Sequence, residues 1–220
     1  MGGRLPIAVV HLDESCLGNG REGNNPGGAG GLIETKTPRG LVRRDFYIHA
    51  PDTTNNRMAL AGGIGVLQLL AGKGTRFRVL VISDSEYLVK GIREWLPGWI
   101  ARGWKRKSGE IENLELWRAL SQSLALHESQ FAWVRGHNGH PKNEYANDLA
   151  VRAARAQETS AGIVASGFGA WLLHKRAAGQ YTDYDPDAAF TALDRRLERG
   201  ERFPLDLDAA PSFAGGLPNG

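Results

Sequence analysis

The stretch Thr54-Asn55-Asn56-Arg57-Met58-Ala59-Leu60 marks the point at which the chain changes from a β-rich to a helical pattern. An asparagine of this stretch, Asn55 or Asn56, can cap a helix that the apolar spacing continues to about residue 70. The preceding part of the chain predicts strands at 5–12, 31–35 and 41–49, of which the last two form a hairpin. Between the first two strands, the glycine-rich segment 18–31 is typical of a loop.

The segment that follows the helix predicts a mostly apolar strand at 77–83, which ends at Asp84. Short helical pieces at 85–102, a helix at 112–127, a strand at 130–135 and a helix at 143–158 come next. The order is therefore three consecutive strands, a helix, a strand, helices, a strand and a helix. This order predicts an α/β fold with a mixed sheet covered by helices.

The composition sets limits on the class of protein. The chain has 220 residues, of which 41% are hydrophobic, enough for a packed core. The formal net charge of +3 and the pI of about 9.1 indicate a polyanionic partner only weakly. Cys16 is the one cysteine, so an internal disulfide is excluded and a reducing, cytoplasmic location is expected. We also expect a monomer. No membrane partner is expected, because no apolar stretch is long enough to span a bilayer.

Two predicted strands each end at an aspartate, Asp13 and Asp84. Neighbouring strands of such a sheet bring their C-terminal ends together in one crevice. Two close carboxylates repel each other unless a cation lies between them, and hard oxygen ligands favour Mg²⁺ or Mn²⁺. Aspartates at strand ends also serve as helix caps, and from these two residues alone the capping role is the more common one.

Four sequence blocks extend this pattern: Asp13-Glu14-Ser15-Cys16-Leu17-Gly18-Asn19, the stretch 54–60, Asp84-Ser85-Glu86-Tyr87, and Gly136-His137-Asn138-Gly139-His140-Pro141. In kind and in order they resemble the active-site blocks of type 1 ribonuclease H, over about residues 5–157. The resemblance implies a five-stranded mixed sheet, three antiparallel strands followed by two parallel ones, with helices on both faces. It implies a ribonuclease H domain at 1–158 and leaves 159–220 as a C-terminal extension, partly helical, with a loose end at 204–220 and an open role. Within the extension, Asp185-Pro186 is typical of a helix start, and Phe190, Leu193 and Leu197 form an apolar stripe.

In that family, four acidic residues hold two divalent ions, Mg²⁺ or Mn²⁺, which cleave the RNA strand of RNA/DNA hybrids. The resemblance places the first acid at Asp13, the third at Asp84 and the family histidine at His137. The second acid falls on Ala59, which cannot bind a metal. The fourth falls on Asn147, whose neutral oxygen is an acceptable ligand.

The departures at Ala59 and Asn147 predict an inactivated or strongly impaired enzyme, because two carboxylates would remain of four. Asp148 follows Asn147, but one step along a helix rotates a side chain by about 100°. We therefore expect Asn147 in the metal site and Asp148 outside it.

The same resemblance implies two groups of nucleic-acid contacts. Amide and hydroxyl side chains, with Glu86 in place of a common glutamine, match residues that contact the minor groove of the hybrid, and a basic segment resembles the protrusion that grips the DNA strand. The minor-groove residues are Asn19, Thr54, Asn55, Asn56 and Glu86, and those of the protrusion are Arg102, Trp104 and Lys105.

Two other classes of function remain open at this point. The first is a non-catalytic module that binds RNA/DNA hybrids, which the alanine at residue 59 favours. The second is another nuclease on the same fold, such as a resolvase or integrase, against which the stretch 54–60 and the block 136–141 both count.

Overall fold

The computed structural model describes residues 5–18, 25–72, 74–136 and 139–204. Its elements are, in chain order, β1 Ile7–Cys16, β2 Gly27–Thr37, β3 Gly40–Ala50, α1 Asn55–Ala71, β4 Arg78–Ser83, α2 Glu86–Lys90, a π-helical turn Gly91–Trp95, α3 Leu96–Ala101, α4 Leu114–Leu124, β5 Glu128–Trp133, α5 Pro141–Ala156, β6 Val164–Ala165, α6 Phe168–Ala177 and α7 Ala188–Glu198. None of the helices in these ranges has the length and apolar character needed to cross a membrane.

The strands form one mixed sheet in the order β5-β4-β1-β2-β3-β6. Strands β1, β2 and β3 pair antiparallel, whereas β4 lies parallel to β1 and to β5. The predicted architecture, three antiparallel strands followed by two parallel ones, is confirmed. The extension adds what the sequence did not predict, a two-residue strand β6 that pairs with β3.

Strand β2 begins at Gly27, so the prediction that the glycine-rich loop reaches residue 31 is wrong. The glycines serve close packing instead. A Cβ on Gly28 would lie 2.2 Å from the carbonyl oxygen of Ala150, and one on Gly30 would lie 2.6 Å from that of Ala146. Because these glycines lack side chains, helix α5 lies almost directly on the sheet.

Two predicted helix caps are also corrected. Thr54, not Asn55 or Asn56, caps α1, because its hydroxyl accepts a hydrogen bond from the backbone N–H of Arg57. A helix beginning at Asp185-Pro186 was expected, but Asp185 accepts from the backbone N–H of Asp187 and forms a turn, so α7 begins later, at Ala188.

Apolar side chains cover both faces of the sheet. On one face, α1, α3 and α4 pack over the alternate strand residues that include Val10, Leu12 and Val81. On the other face, α5 covers β1 and β2, and its Leu149 packs with Leu32. The next cluster on this second face contains residues of β1, β4, β5 and the extension.

The extension lies along the second face of the sheet. Phe168 and Leu172 of α6 join the cluster of α5, and the predicted stripe Phe190, Leu193 and Leu197 of α7 is buried over β1, β4 and β5. The extension thus closes a large part of the core. The predicted loose end, 204–220, lies almost entirely outside the described residues, of which Pro204 is the last.

Candidate active site

Asp13 lies inside β1, not at its end as the sequence suggested. It pairs with Gly30 of β2, whereas the parallel pairing of β1 with β4 ends one residue earlier, at Leu12 and Ser83. Asp84 follows directly on β4. The longer antiparallel partner explains the longer strand, and the two aspartates still meet at the edge where β4 stops.

Glu14 joins the two aspartates. One carboxylate oxygen from each of Asp13, Glu14 and Asp84 lies within 4.8 Å of the others. Sequence reasoning missed Glu14, because successive residues of a strand point to opposite faces. The one indication that Glu14 could join the site was the early end of the strand that becomes β4. Because β4 stops pairing with β1 at Leu12, the carboxylate of Glu14 can approach the site past the open edge of β1.

Burial and mutual repulsion disfavour the negatively charged form of the acidic cluster when no cation is bound. Burial is the main cause that raises the pKa of Asp13 to about 9, and the negative charges of Asp84 and Glu14 add to it. Burial likewise raises the pKa of Glu14 to about 8, although a hydrogen bond from Ser85 opposes the rise. Oxygen Oε2 of Glu14 is buried and has no hydrogen-bond partner among the described residues. These features fit a bound cation.

Both oxygens of Asp13 are held in place. The backbone N–H of Glu14 donates to Oδ1 at 2.7 Å, and Nδ2 of Asn143 donates to Oδ2 at 3.1 Å. Asn143 is 3% exposed, and its own Oδ1 is a second buried oxygen without a partner in the described part of the chain. Helix α5 therefore takes part in the site through its first turn.

The loop after β5 closes over Asp84. A Cβ on Gly136 would lie 2.3 Å from Oδ2 of Asp84, so a side chain here would displace that carboxylate. The indole Nε1 of Trp133 donates to the backbone oxygen of Asp84 at 3.1 Å. Trp133 is half-buried, and this hydrogen bond links the end of β5 to the backbone of the site.

The remaining predicted ligand positions lie on α1 and α5. Ala59 is fully buried within the apolar cluster of α1. Asn147 is half-buried on α5, whereas Asp148 is exposed and accepts a hydrogen bond from Nε1 of Trp171 at 2.7 Å. Asp148 is thus bound to the extension. His137 and Asn19, the other predicted site residues of these blocks, lie outside the described residues.

Three of the predicted minor-groove residues, Thr54, Asn55 and Asn56, lie at the start of α1. Thr54 caps the helix, Asn56 is half-buried, and Oδ1 of Asn55 is buried without a partner in the described ranges. Glu86 is exposed, and its carboxylate accepts from Lys90 at 2.6 Å.

The predicted protrusion is a loop after α3. Arg102 and Lys105 are exposed and joined to each other, since Nε of Arg102 donates to the backbone oxygen of Lys105 at 3.2 Å. Trp104 is half-buried against the core, with a positive φ of 64°. The indole therefore contributes at least partly to folding the loop.

Comparison with known proteins identifies this arrangement. The sequence model of the RNase H family matches residues 6–155. The chain belongs to the ribonuclease H family. Ribonuclease HI of Pseudomonas aeruginosa is 43% identical over 146 residues, which are 66% of this chain and 90% of that protein.

Solved structures agree with this assignment. LC9-RNase H1, described as a type 1 RNase H with the type 2 active-site motif, is 52% identical with a TM-score of 0.72 and covers 78% of this chain and 82% of its own. The ribonuclease H domain of prototype foamy virus shares the fold, with a TM-score of 0.58 at 20% identity, over 69% of this chain and 96% of its own. The predicted ribonuclease H resemblance is thus confirmed, and the chain is a hydrolase of the nuclease class.

Proposed function

We propose that this chain hydrolyses the RNA strand of RNA/DNA hybrids at the cluster of Asp13, Glu14 and Asp84, with Mg²⁺ or Mn²⁺ as cofactor. The observation that carries the proposal is the set of three carboxylates within 4.8 Å, with a buried oxygen of Glu14 left unpaired. Oxygen donors of this kind suit hard divalent cations better than zinc. When bound, two such ions would activate a water molecule and stabilise the leaving oxygen.

The protein residues have separate tasks in this scheme. Asp13, Glu14 and Asp84 would hold the ions, and Asn147 would add a neutral oxygen as the fourth ligand. Asn143 and the backbone of Glu14 orient the carboxylate of Asp13. His137, by resemblance, would assist proton transfer or product release.

Glu14 bears on the expected impairment by Ala59. That expectation counted two carboxylates, whereas the site contains three. We propose that Glu14 supplies the carboxylate that the second family position lacks, so that the enzyme is active. A 52% identical relative, described as a type 1 RNase H with the type 2 active-site motif, supports the idea that this fold accepts another arrangement of acids.

The nucleic-acid residues are proposed by position. Asn19, Thr54, Asn55 and Asn56 carry donors and acceptors that suit the 2′-hydroxyls of the RNA strand. Exposed Arg102 and Lys105 would contact phosphates of the DNA strand. Trp104, in the same loop, and Glu86, on α2, would also contact the hybrid. We further propose that the protein acts as a monomer in the cytoplasm, where a free thiol such as Cys16 stays reduced.

A cleavage assay tests this function. The full chain is incubated with an RNA/DNA hybrid labelled on the RNA strand, and with DNA and RNA duplexes of the same sequence, under Mg²⁺, Mn²⁺ or EDTA. We expect metal-dependent cleavage of the hybrid's RNA strand alone. Asp84→Asn should lose at least about 100-fold, since even outer ligand partners cost about 10–100-fold.

Asp148→Asn is the matched control on α5, because asparagine can still accept from Trp171, and its activity should stay within about twofold. Tight hybrid binding with no cleavage by the unchanged protein would instead establish the non-catalytic module. Equal cleavage of the DNA duplex would show a different nuclease.

A further inference from the structure

Glu34 of β2 is the centre of a buried charge network next to the active site. Its carboxylate is 1% exposed. Oε2 accepts from Nζ of Lys142 at 2.8 Å, and Oε1 accepts from Nε of Arg43 at 2.9 Å. Nε2 of His11 lies 3.6 Å from Oε2. Three strands and helix α5 thus meet at one carboxylate.

The network is charged. Burial alone would raise the pKa of Glu34, but the charge of Lys142 and the hydrogen bond with His11 outweigh it and lower that pKa to about 2. Burial lowers the pKa of His11 to about 4, so its ring is neutral near pH 7. Burial lowers the pKa of Lys142, and the negative charge of Glu34 opposes that fall. The ion pair of Glu34 with Lys142 is dry, because both side chains are at most 4% exposed.

Lys142 occupies an unusual place for a cation. It is the second residue of α5, where the partial positive charge of a helix N-terminus disfavours a lysine. A buried ion pair also seldom stabilises a fold more than apolar side chains of the same volume would. A gain in stability therefore does not explain the lysine at this position. A role in fixing the orientation of α5 against β2 does explain it.

The residue that follows Lys142 is Asn143, which donates to Asp13. Lys142 is fixed to β2 and Asn143 to β1 by consecutive side chains of the same helical turn. Asp13 is two residues from His11 on β1, and its neighbour Gly30 lies on the strand that carries Glu34. The ion pair thus fixes the height and rotation of the turn from which Asn143 reaches the metal site.

The extension holds the other side of the network. An NH2 group of Arg43 donates to Oδ1 of Asp187 at 2.6 Å and to the backbone oxygen of Pro186 at 2.7 Å. These two residues lie just before α7. The guanidinium that holds Glu34 is itself held by a segment outside the matched family region of 6–155.

We propose that Lys142 is a positioning residue: its buried ion pair with Glu34, completed by Arg43 and the extension, sets the first turn of α5 so that Asn143 fixes Asp13 for metal binding. This inference rests on the proposed function for its catalytic part. Its metal-binding part can be tested without turnover.

The test compares Lys142→Met, Asn143→Ala and the double variant Lys142→Met/Asn143→Ala in the full chain. The readouts are Mn²⁺ affinity by calorimetry, and kcat and KM on the hybrid. We expect each single variant to lose about tenfold or more in Mn²⁺ affinity and kcat, with KM within about twofold. If Lys142 acts through Asn143, the double variant loses no more than Asn143→Ala does. Additive losses would overturn the proposal.

A second comparison separates positioning from folding stability. Glu34→Gln/Lys142→Met removes both charges of the ion pair, and Arg43 keeps its pair with Asp187, so that no buried charge is left unpaired. This variant should recover thermal stability without recovering kcat or Mn²⁺ affinity. Recovery of all three together would show that Lys142 serves stability only. Should Lys142→Met fail to fold, this variant decides.

Lys36→Met is the matched control, because it also removes a lysine that pairs with a carboxylate, that of Asp194 at 2.6 Å, but the pair of Lys36 lies at the surface. Its Mn²⁺ affinity and kcat should stay within about twofold. If the unchanged protein cleaves no hybrid, the proposed function fails, and the Mn²⁺ affinities of the variants still decide this inference. Equal affinities would then overturn it.

Discussion

Asp13 and Glu14 are consecutive residues of one strand, and both reach the same cluster of carboxylates. This is possible because β4 stops pairing with β1 at Leu12. Beyond that residue the edge of β1 is open, and both side chains can reach the cluster. Two neighbouring acids at one site carry more charge than their burial favours, as the pKa values near 9 and 8 show. At the scale of single residues, the site is therefore built for a counter-ion.

Exchanging the acid between two positions tests which residue carries it. Glu14→Ala should lose at least about 100-fold in kcat/KM on the hybrid, for the reason given above for Asp84. Glu14→Ala/Ala59→Glu should recover at least about tenfold of that loss, because it returns a carboxylate by way of the family position. Steady-state cleavage under Mg²⁺ measures both. A fully active Glu14→Ala would show that Glu14 does not replace the missing acid. A strong gain in activity from Ala59→Glu alone would show that Ala59 impairs the enzyme.

The raised pKa values also predict how the metal-free protein responds to pH. In the unfolded chain these carboxyls lose their protons near pH 4, whereas the folded chain keeps them until about pH 8 to 9. The folded state binds more protons in between, so its stability falls as pH rises through that window. Thermal unfolding in EDTA should show the decline, and Asp13→Asn should flatten it. Added Mn²⁺ should raise the melting temperature more at pH 8 than at pH 5. A flat profile in EDTA would contradict the burial of these charges.

Helix α5 is the element that the site depends on most. Its close approach to β2 over Gly28 and Gly30 puts Asn143 within reach of Asp13. Periodicity in the sequence predicted that the helix exists but not how close it lies. The glycines that allow the approach looked like a loop, because glycine punctuates loops far more often than it thins a strand.

Gly30→Ala tests this approach. Its Cβ would lie 2.6 Å from backbone atoms of Ala146 and Ala150, which cannot move without moving α5. We expect a loss of about 1–3 kcal/mol in the free energy of unfolding and a loss of activity larger than the loss of folded protein. Gly65→Ala on α1 is the control, since its nearest atom is 4.0 Å away, and it should stabilise by about 0.5–1 kcal/mol. Urea unfolding of both variants gives the comparison. An unchanged Gly30→Ala protein would mean that α5 sits less tightly on β2.

At the scale of the whole molecule, the extension is part of the core. The sequence predicted its helix and the stripe Phe190, Leu193 and Leu197, but not where the stripe would dock. The docking of α7 depends on an apolar face that forms only when β1, β4 and β5 lie side by side in the sheet. The order and type of the main elements were predictable, because periodicity is local. The sixth strand and the place of Glu14 in the acidic cluster were not, because both depend on how distant segments meet.

We predict that the extension and the ribonuclease H region unfold as one unit. Leu193 is fully buried, so Leu193→Ala should cost about 2–5 kcal/mol and shift the whole urea transition. Leu173→Ala, at a side chain 67% exposed, should leave it unchanged. Circular dichroism and tryptophan fluorescence should give coincident transitions for each variant. A separate, earlier transition for the extension would show instead that residues 1–158 are a domain of their own.

The burial of β1 beneath α7 also has a consequence for biosynthesis. Strand β1 leaves the ribosome about 180 residues before the helix that covers it, Ala188–Glu198. Until that helix has emerged, the apolar side chains of Ile7 and Val9 have no cover from their native partner. Nascent chains in this interval carry the exposed apolar surface that chaperones recognise and that favours aggregation. A ribosome stalled shortly after residue 158 should therefore hold a chain that a holdase binds, and one stalled well past residue 204 should release it.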